Sequence, residues 1–173
     1  GKQNMVTDAS ILALKDSLSK LDSLQRLSLA FYRCGLTNTS PEIFSQTIGE
    51  LSKLETLTVR ITNSKMNLKA FSFVKKLPAE LPKLQELSIE LPLSLTDKES
   101  ETLGDGLQRL TYLRVLKLKF MSCYPNKIIS GIKKLPRLKE LYWDLGTNIG
   151  KKYEQELYYS LKTLEHISWE EIN

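Results

Sequence analysis

The stretch LDSLQRLSLAFYRC, residues 21–34, decides the fold. Its leucines stand at 21, 24, 27 and 29, which is neither helical nor strand-like spacing throughout. The three-residue step from Leu21 to Leu24 fits the end of a helix, whereas Leu27 and Leu29 alternate like residues on one face of a strand. The same nine-residue pattern, L-x-x-L-x-x-L-x-L, returns as LSKLETLTV at 51, LPKLQELSI at 81 and LTYLRVLKL at 110. LPRLKELYW at 135 and LKTLEHISW at 161 follow. Six copies at intervals of 25–30 residues imply stacked repeats.

Helical spacing continues upstream of each copy. Leu14 and Leu18 precede Leu21, Phe44 and Ile48 precede Leu51, Leu103 and Leu107 precede Leu110, and Ile128 and Ile132 precede Leu135. Each unit therefore reads as helix, turn, strand, loop. Expected helices cover about 8–20, 41–50, 68–79, 97–109, 126–134 and 151–162. Expected strands lie near 26–32, 56–62, 86–92, 115–121, 140–146 and 166–170. One unit cannot cover its own apolar face, so neighbours must stack into a continuous core. Each buried leucine contributes about 1.5–3 kcal/mol. Asp8, Ser40 with Pro41, and Thr96 occupy positions suited to N-caps. Loops are expected to carry most of the glycines.

Over about residues 8–171 this pattern resembles the leucine-rich repeat, and CGLT at 34–37 is similar to a turn of its ribonuclease-inhibitor-like, intracellular subclass. The resemblance implies an α/β solenoid of about six repeats, a curved right-handed βα array forming one domain over 1–173. A parallel sheet would line its concave face and helices its convex face. The sequence departs from the common repeat after the second strand leucine. An extra apolar position, filled by Phe31, Ile61, Leu91, Phe120 and Leu145, lengthens each strand by two residues. The ladder of small polar side chains then falls at Cys34, Ser64, Ser94, Cys123 and Asn148, where it could satisfy loop backbone groups.

Composition leaves little room for catalysis. The one histidine, His166, has no companions at metal-ligand spacing. GDG at 104–106 lacks the further glycine or Lys-Ser/Thr of a phosphate loop. Cys34 and Cys123 form no CxxC pair and fit buried free thiols in a reducing compartment. NTS at 38–40 matches a glycosylation acceptor without a secretory context. No apolar run reaches the ~18–20 residues of a spanning helix, and GKQNMVTDAS lacks the apolar segment of a signal peptide. The expectation is an intracellular, cytoplasmic protein with cytoskeletal or organellar association as an option, no enzyme, and no metal, cofactor or small-molecule substrate.

If the leucines point inward, alternate residues form an outward face. Arg60, Glu90, Lys119 and Asp144 then alternate in sign across strands about 4.8 Å apart. With Lys117 and Tyr142 they form the expected partner-binding site, Tyr and Arg being favoured hot-spot types. The competing reading is that these charges satisfy one another. Four cations (Arg26, Arg60, Lys117, Lys119) meet five carboxylates (Glu86, Glu90, Glu140, Asp144, Glu170) on this face. That balance disfavours nucleic acid as a partner despite a net charge of +5, with a basic patch on the convex side as the remaining option. The last strand, with Trp169 and Glu170, forms an expected edge contact in a larger assembly. The resemblance implies a protein–protein interaction scaffold or adaptor binding a partner protein through the concave sheet. The alternative is a structural subunit of a cytoskeletal, ciliary or organellar assembly held by edges and convex helices. A GTPase-activating role, known for some ribonuclease-inhibitor-like arrays, would have only Arg33 as a candidate.

Overall fold

Alternation along the strands separates two environments. In β4 (Thr56–Thr62) Leu57, Val59 and Ile61 are buried while Arg60 between them is exposed. The computed structural model describes residues 4–37, 39–62, 81–144 and 168–171, together with 74, 76, 77, 155, 159 and 162. Within them the chain is an α/β protein built on a parallel sheet. Six strands lie side by side in chain order: β2 (Arg26–Tyr32), β4, β5 (Glu86–Ser94), β6 (Val115–Ser122), β7 (Glu140–Asp144) and β8 (Ser168–Glu171). Every pairing is parallel. The expected helices over 68–79 and 151–162 lie mostly outside the described residues. Val74, Lys76 and Leu77, and Gln155, Tyr159 and Lys162, are helical.

Just before successive strands the backbone forms a recurring hydrogen-bond clasp. The Gln25 carbonyl accepts from the amides of Glu55 and Thr56, that of Glu55 from Gln85 and Glu86, and that of Gln85 from Arg114 and Val115. The Arg114 carbonyl accepts from Lys139 and Glu140 in the same way. Just upstream, the L-x-x-L step is a turn rather than a helix end. The amides of Leu24, Leu54, Leu84 and Leu113 bond the carbonyls of Leu21, Leu51, Leu81 and Leu110. An i→i+3 bond of this kind places both leucines inward without another helical turn.

Helices α1 (Asp8–Leu18), α2 (Ser40–Gly49), α3 (Asp97–Leu107) and α4 (Pro125–Ile132) send Ile11, Phe44, Ile48, Leu103, Leu107, Ile128 and Ile132 into the core. Two of the expected caps sit one residue from the observed ones. Thr96 caps α3, accepting from the Glu99 amide while its own amide bonds the Glu99 carboxylate at 2.8 Å. Thr7 rather than Asp8 precedes α1, and Thr39 rather than Ser40 precedes α2. Asp8 instead joins the two helix starts. Its carboxylate accepts from the Thr37 hydroxyl (2.5 Å), the Thr37 amide (3.1 Å), the Thr39 hydroxyl (2.7 Å) and the Ser40 hydroxyl. Partial burial pushes its pKa up, but these hydrogen bonds outweigh burial and hold it at about 2.

Glycines also depart from expectation. Gly49, Gly104, Gly106 and Gly131 are helical. A Cβ on Gly131 would lie 2.1 Å from the Gly104 carbonyl oxygen, and one on Gly104 would lie 2.4 Å from that of Lys127. These glycines let α3 and α4 stack backbone to backbone. The buried Ser100 hydroxyl accepts from the Tyr124 amide at 3.0 Å beside them.

Further differences concern strand ends and turns. A short strand β1 (Asn4–Thr7), not anticipated, pairs in parallel with β3 (Cys34–Gly35). Helix α1 stops at Leu18 rather than 20, and Leu27, Leu29 and Phe31 of β2 are only half-buried against the core. Strand β5 runs on to Ser94. The polar ladder is uneven: Cys34 is buried and Cys123 partly so, but Ser94 is exposed and pairs with Ser122, while Leu95 turns inward. Ser64 and Asn148 lie outside the described residues. In the last strand Ser168, not His166, sits opposite Glu140, and Trp169 sits opposite Leu141. This two-residue displacement keeps the inside/outside alternation, which a one-residue slip would reverse.

Candidate interaction face

Parallel pairing in register converts a sequence alternation into a charge ladder. Ala30, Arg60, Glu90, Lys119 and Asp144 are successive register partners across β2, β4, β5, β6 and β7. The ladder resolves into two ion pairs. The Arg60 Nε lies 3.1 Å from a Glu90 carboxylate oxygen, and the Lys119 Nζ lies 2.7 Å from Asp144. Arg60 and Lys119 are 60% and 51% exposed, so each pair contributes only about 0.2–1 kcal/mol. The hydrogen bond and charge of Asp144 raise the pKa of Lys119, with a further contribution from Glu90. Charges are therefore matched between adjacent strands, and one cation of each pair stays open to water.

Beside them, the Lys117 ammonium stands 4.7 Å from the centroid of the Tyr142 ring, a cation–π distance. The Tyr142 hydroxyl donates to Glu140 at 3.2 Å. Six residues read from the sequence, Arg60, Glu90, Lys117, Lys119, Tyr142 and Asp144, thus fall into one continuous patch over β4 to β7. Glu140 belongs to the patch but was missed as a site residue; its signal was the i, i+2 spacing from Tyr142 on one strand face. Thr58 and Ser88 continue the Lys117–Tyr142 row toward β2.

The edge residues lie on the next strand of the sheet. Trp169 and Glu170 belong to β8, with Glu170 opposite Tyr142 in register; their side chains, and all of His166, lie outside the described residues. Arg33 sits at the kink between β2 and β3 with φ 51°, its amide bonded to the Thr62 carbonyl at 3.0 Å. Its guanidinium lies over the Tyr32 ring at 5.1 Å.

Among the described residues, no group of three or more His, Cys, Asp or Glu side chains is arranged to hold a metal ion. Burial raises the pKa of both thiols, that of Cys123 to about 12, so both are protonated near neutral pH and poor nucleophiles. No described helix is long and apolar enough to cross a membrane. The patch can offer ion pairs, hydroxyls and a ring to a partner. No family model matches the chain, and no curated protein does.

Proposed function

We propose that this chain is a leucine-rich-repeat solenoid of six units acting as a non-catalytic interaction scaffold, which binds a partner protein through the open face of its sheet. One observation carries this reading. An all-parallel sheet normally has both faces covered, yet here Lys117 and Lys119 are exposed while Leu116 and Leu118 beside them are buried. The open face is polar, in register and preorganised by its own ion pairs. A partner can replace those weak pairs with its own charges at little cost, because each exposed pair is worth less than about 1 kcal/mol. Lys117 with Tyr142 supplies the aromatic anchor and Arg60 the guanidinium fork. On the solenoid reading this face is the concave side, and the two free thiols fit a protein of the cytoplasm.

The test is a quantitative cross-linking pull-down from nuclease-treated native extract, comparing wild type with a folded Lys117→Glu, Lys119→Glu, Tyr142→Ala variant. Loss of the same partners from the variant supports the open face as the recognition surface. Retention of those partners, cross-linked through helices or the last strand, points instead to a subunit held by its edges.

A further inference from the structure

The chain's positive charge is concentrated in one segment. Residues 106–139 contain nine lysines and arginines and no carboxylate. The rest of the chain holds sixteen cations against twenty carboxylates, so this segment alone makes the protein basic. Two of the nine form ion pairs, Lys119 with Asp144 and Lys127 with Glu101 at 3.4 Å, and Lys117 faces the Tyr142 ring on the open face. The other six, Arg109, Arg114, Lys133, Lys134, Arg137 and Lys139, are exposed and form no ion pair among the described residues, Lys134 donating instead to the neutral Gln108 side chain at 2.8 Å.

Repeat geometry gathers these six at one end of the fold, where helices α3 and α4 finish and strands β6 and β7 begin. Arg114 and Lys139 are neighbours, the amide of Lys139 bonding the carbonyl of Arg114 at 2.8 Å. Arg109 and Lys134 hold equivalent turn positions, their amides bonding the carbonyls of Gly106 and Gly131. Tyr112 and Arg137 form the third equivalent pair, with the guanidinium 4.5 Å from the ring centroid and Tyr112 half exposed. Successive rungs lie about 4.8 Å apart. The nearest carboxylates in sequence, Asp105 and Glu140, accept hydrogen bonds from Gln108 and Tyr142. Earlier rungs are mixed: Glu55 and Gln85 stand where Arg114 and Lys139 do, so the basic track begins at β6.

We infer that this helix-to-strand edge, Arg109, Arg114, Lys133, Lys134, Arg137 and Lys139 around Tyr112, binds a single-stranded phosphodiester chain, RNA or DNA. Two rungs of cations with no carboxylate partner among the described residues match a repeating anion, and the track lies where the strands begin rather than along the charge-balanced open face. Tyr112 and the arginine planes supply faces on which bases stack. A bilayer fits less well, because the leucines of these turns, Leu110, Leu113, Leu135 and Leu138, are all buried rather than free to insert. An acidic peptide would use the charges but not the stacking faces.

The experiment is fluorescence anisotropy of the whole protein with labelled 12-nucleotide oligouridine and oligothymidine between 50 and 300 mM salt. Labelled 12-residue polyglutamate and phosphatidylserine vesicles serve as competing probes. With five cations engaged, log affinity falls against log salt with a slope of about −3.5. A Lys133→Gln, Lys134→Gln, Arg137→Gln, Lys139→Gln variant with unchanged circular dichroism loses binding and flattens that slope. Tyr112→Ala weakens oligonucleotide binding about tenfold at an unchanged slope. Tighter binding of oligouridine or of oligothymidine assigns the source as RNA or DNA. Absence of binding at 50 mM salt overturns the proposal, as does equal affinity for polyglutamate or vesicles. Indifference to the four-glutamine variant or to Tyr112→Ala overturns it as well.

Discussion

Leu118 and Lys119 are adjacent in β6 and lie in opposite environments. Leu118 is 1% exposed and packs into a core shared by helices α1 to α4, whereas Lys119 faces water and forms an ion pair with Asp144. All side chains on the first face are apolar neighbours of one another, so removing one leaves a cavity that the others cannot fill. Contacts on the second face are pairwise and solvated, so removing one leaves the rest in place. Stability is therefore concentrated beneath the sheet, and the surface above it is free to change for recognition.

Breaking the buried face should have the largest effect. Leu118→Ala is expected to cost about 3 kcal/mol in urea unfolding, the range for a leucine removed from a packed core. A cost under about 1 kcal/mol would mean that the two faces differ less than described. Gly131→Ala comes next, at about 2 kcal/mol, because its Cβ must push the α3 backbone away. Ser130→Ala, one residue away and exposed, should be nearly neutral and serves as its control.

Asp8→Asn is a smaller and pH-dependent change of about 1 kcal/mol at neutral pH, limited by the solvent access of the carboxylate. Its folded pKa of about 2 lies below the ordinary value of 3.8. Its stabilisation is therefore complete above about pH 4 and disappears as pH falls toward 2. Unfolding measured at pH 7, 4 and 2 should show the wild-type advantage over Asp8→Asn shrinking between the last two; an advantage undiminished at pH 2 would contradict the latch. Lys119→Ala on the open face should have the smallest effect, below about 1 kcal/mol, with or without 0.5 M salt.

Features that depend on periodicity were legible in the sequence. Leu57, Leu87, Leu116 and Leu141 lie in register on one face because these four copies carry a leucine at the same place. The charge ladder followed from the same alternation, since Arg60, Glu90, Lys119 and Asp144 hold one repeat position. Features set by contacts between non-equivalent residues were not legible. Asp8 reaches Thr37, Thr39 and Ser40 across about thirty residues, and nothing in its neighbourhood announces them. Gly104 and Gly131 look like breakers until their helices are seen in contact. The last strand pairs two residues beyond its aligned place, a displacement that leaves the hydrophobic alternation unchanged and so leaves no trace in the pattern.

The most direct test places a photo-cross-linking amino acid at Lys117 on the open face or at Ser130 on α4, one variant each, in native extract. Adducts with a defined protein from position 117, and none from position 130, are the predicted result. Adducts from position 130 with position 117 silent would contradict the account and assign recognition to the helices.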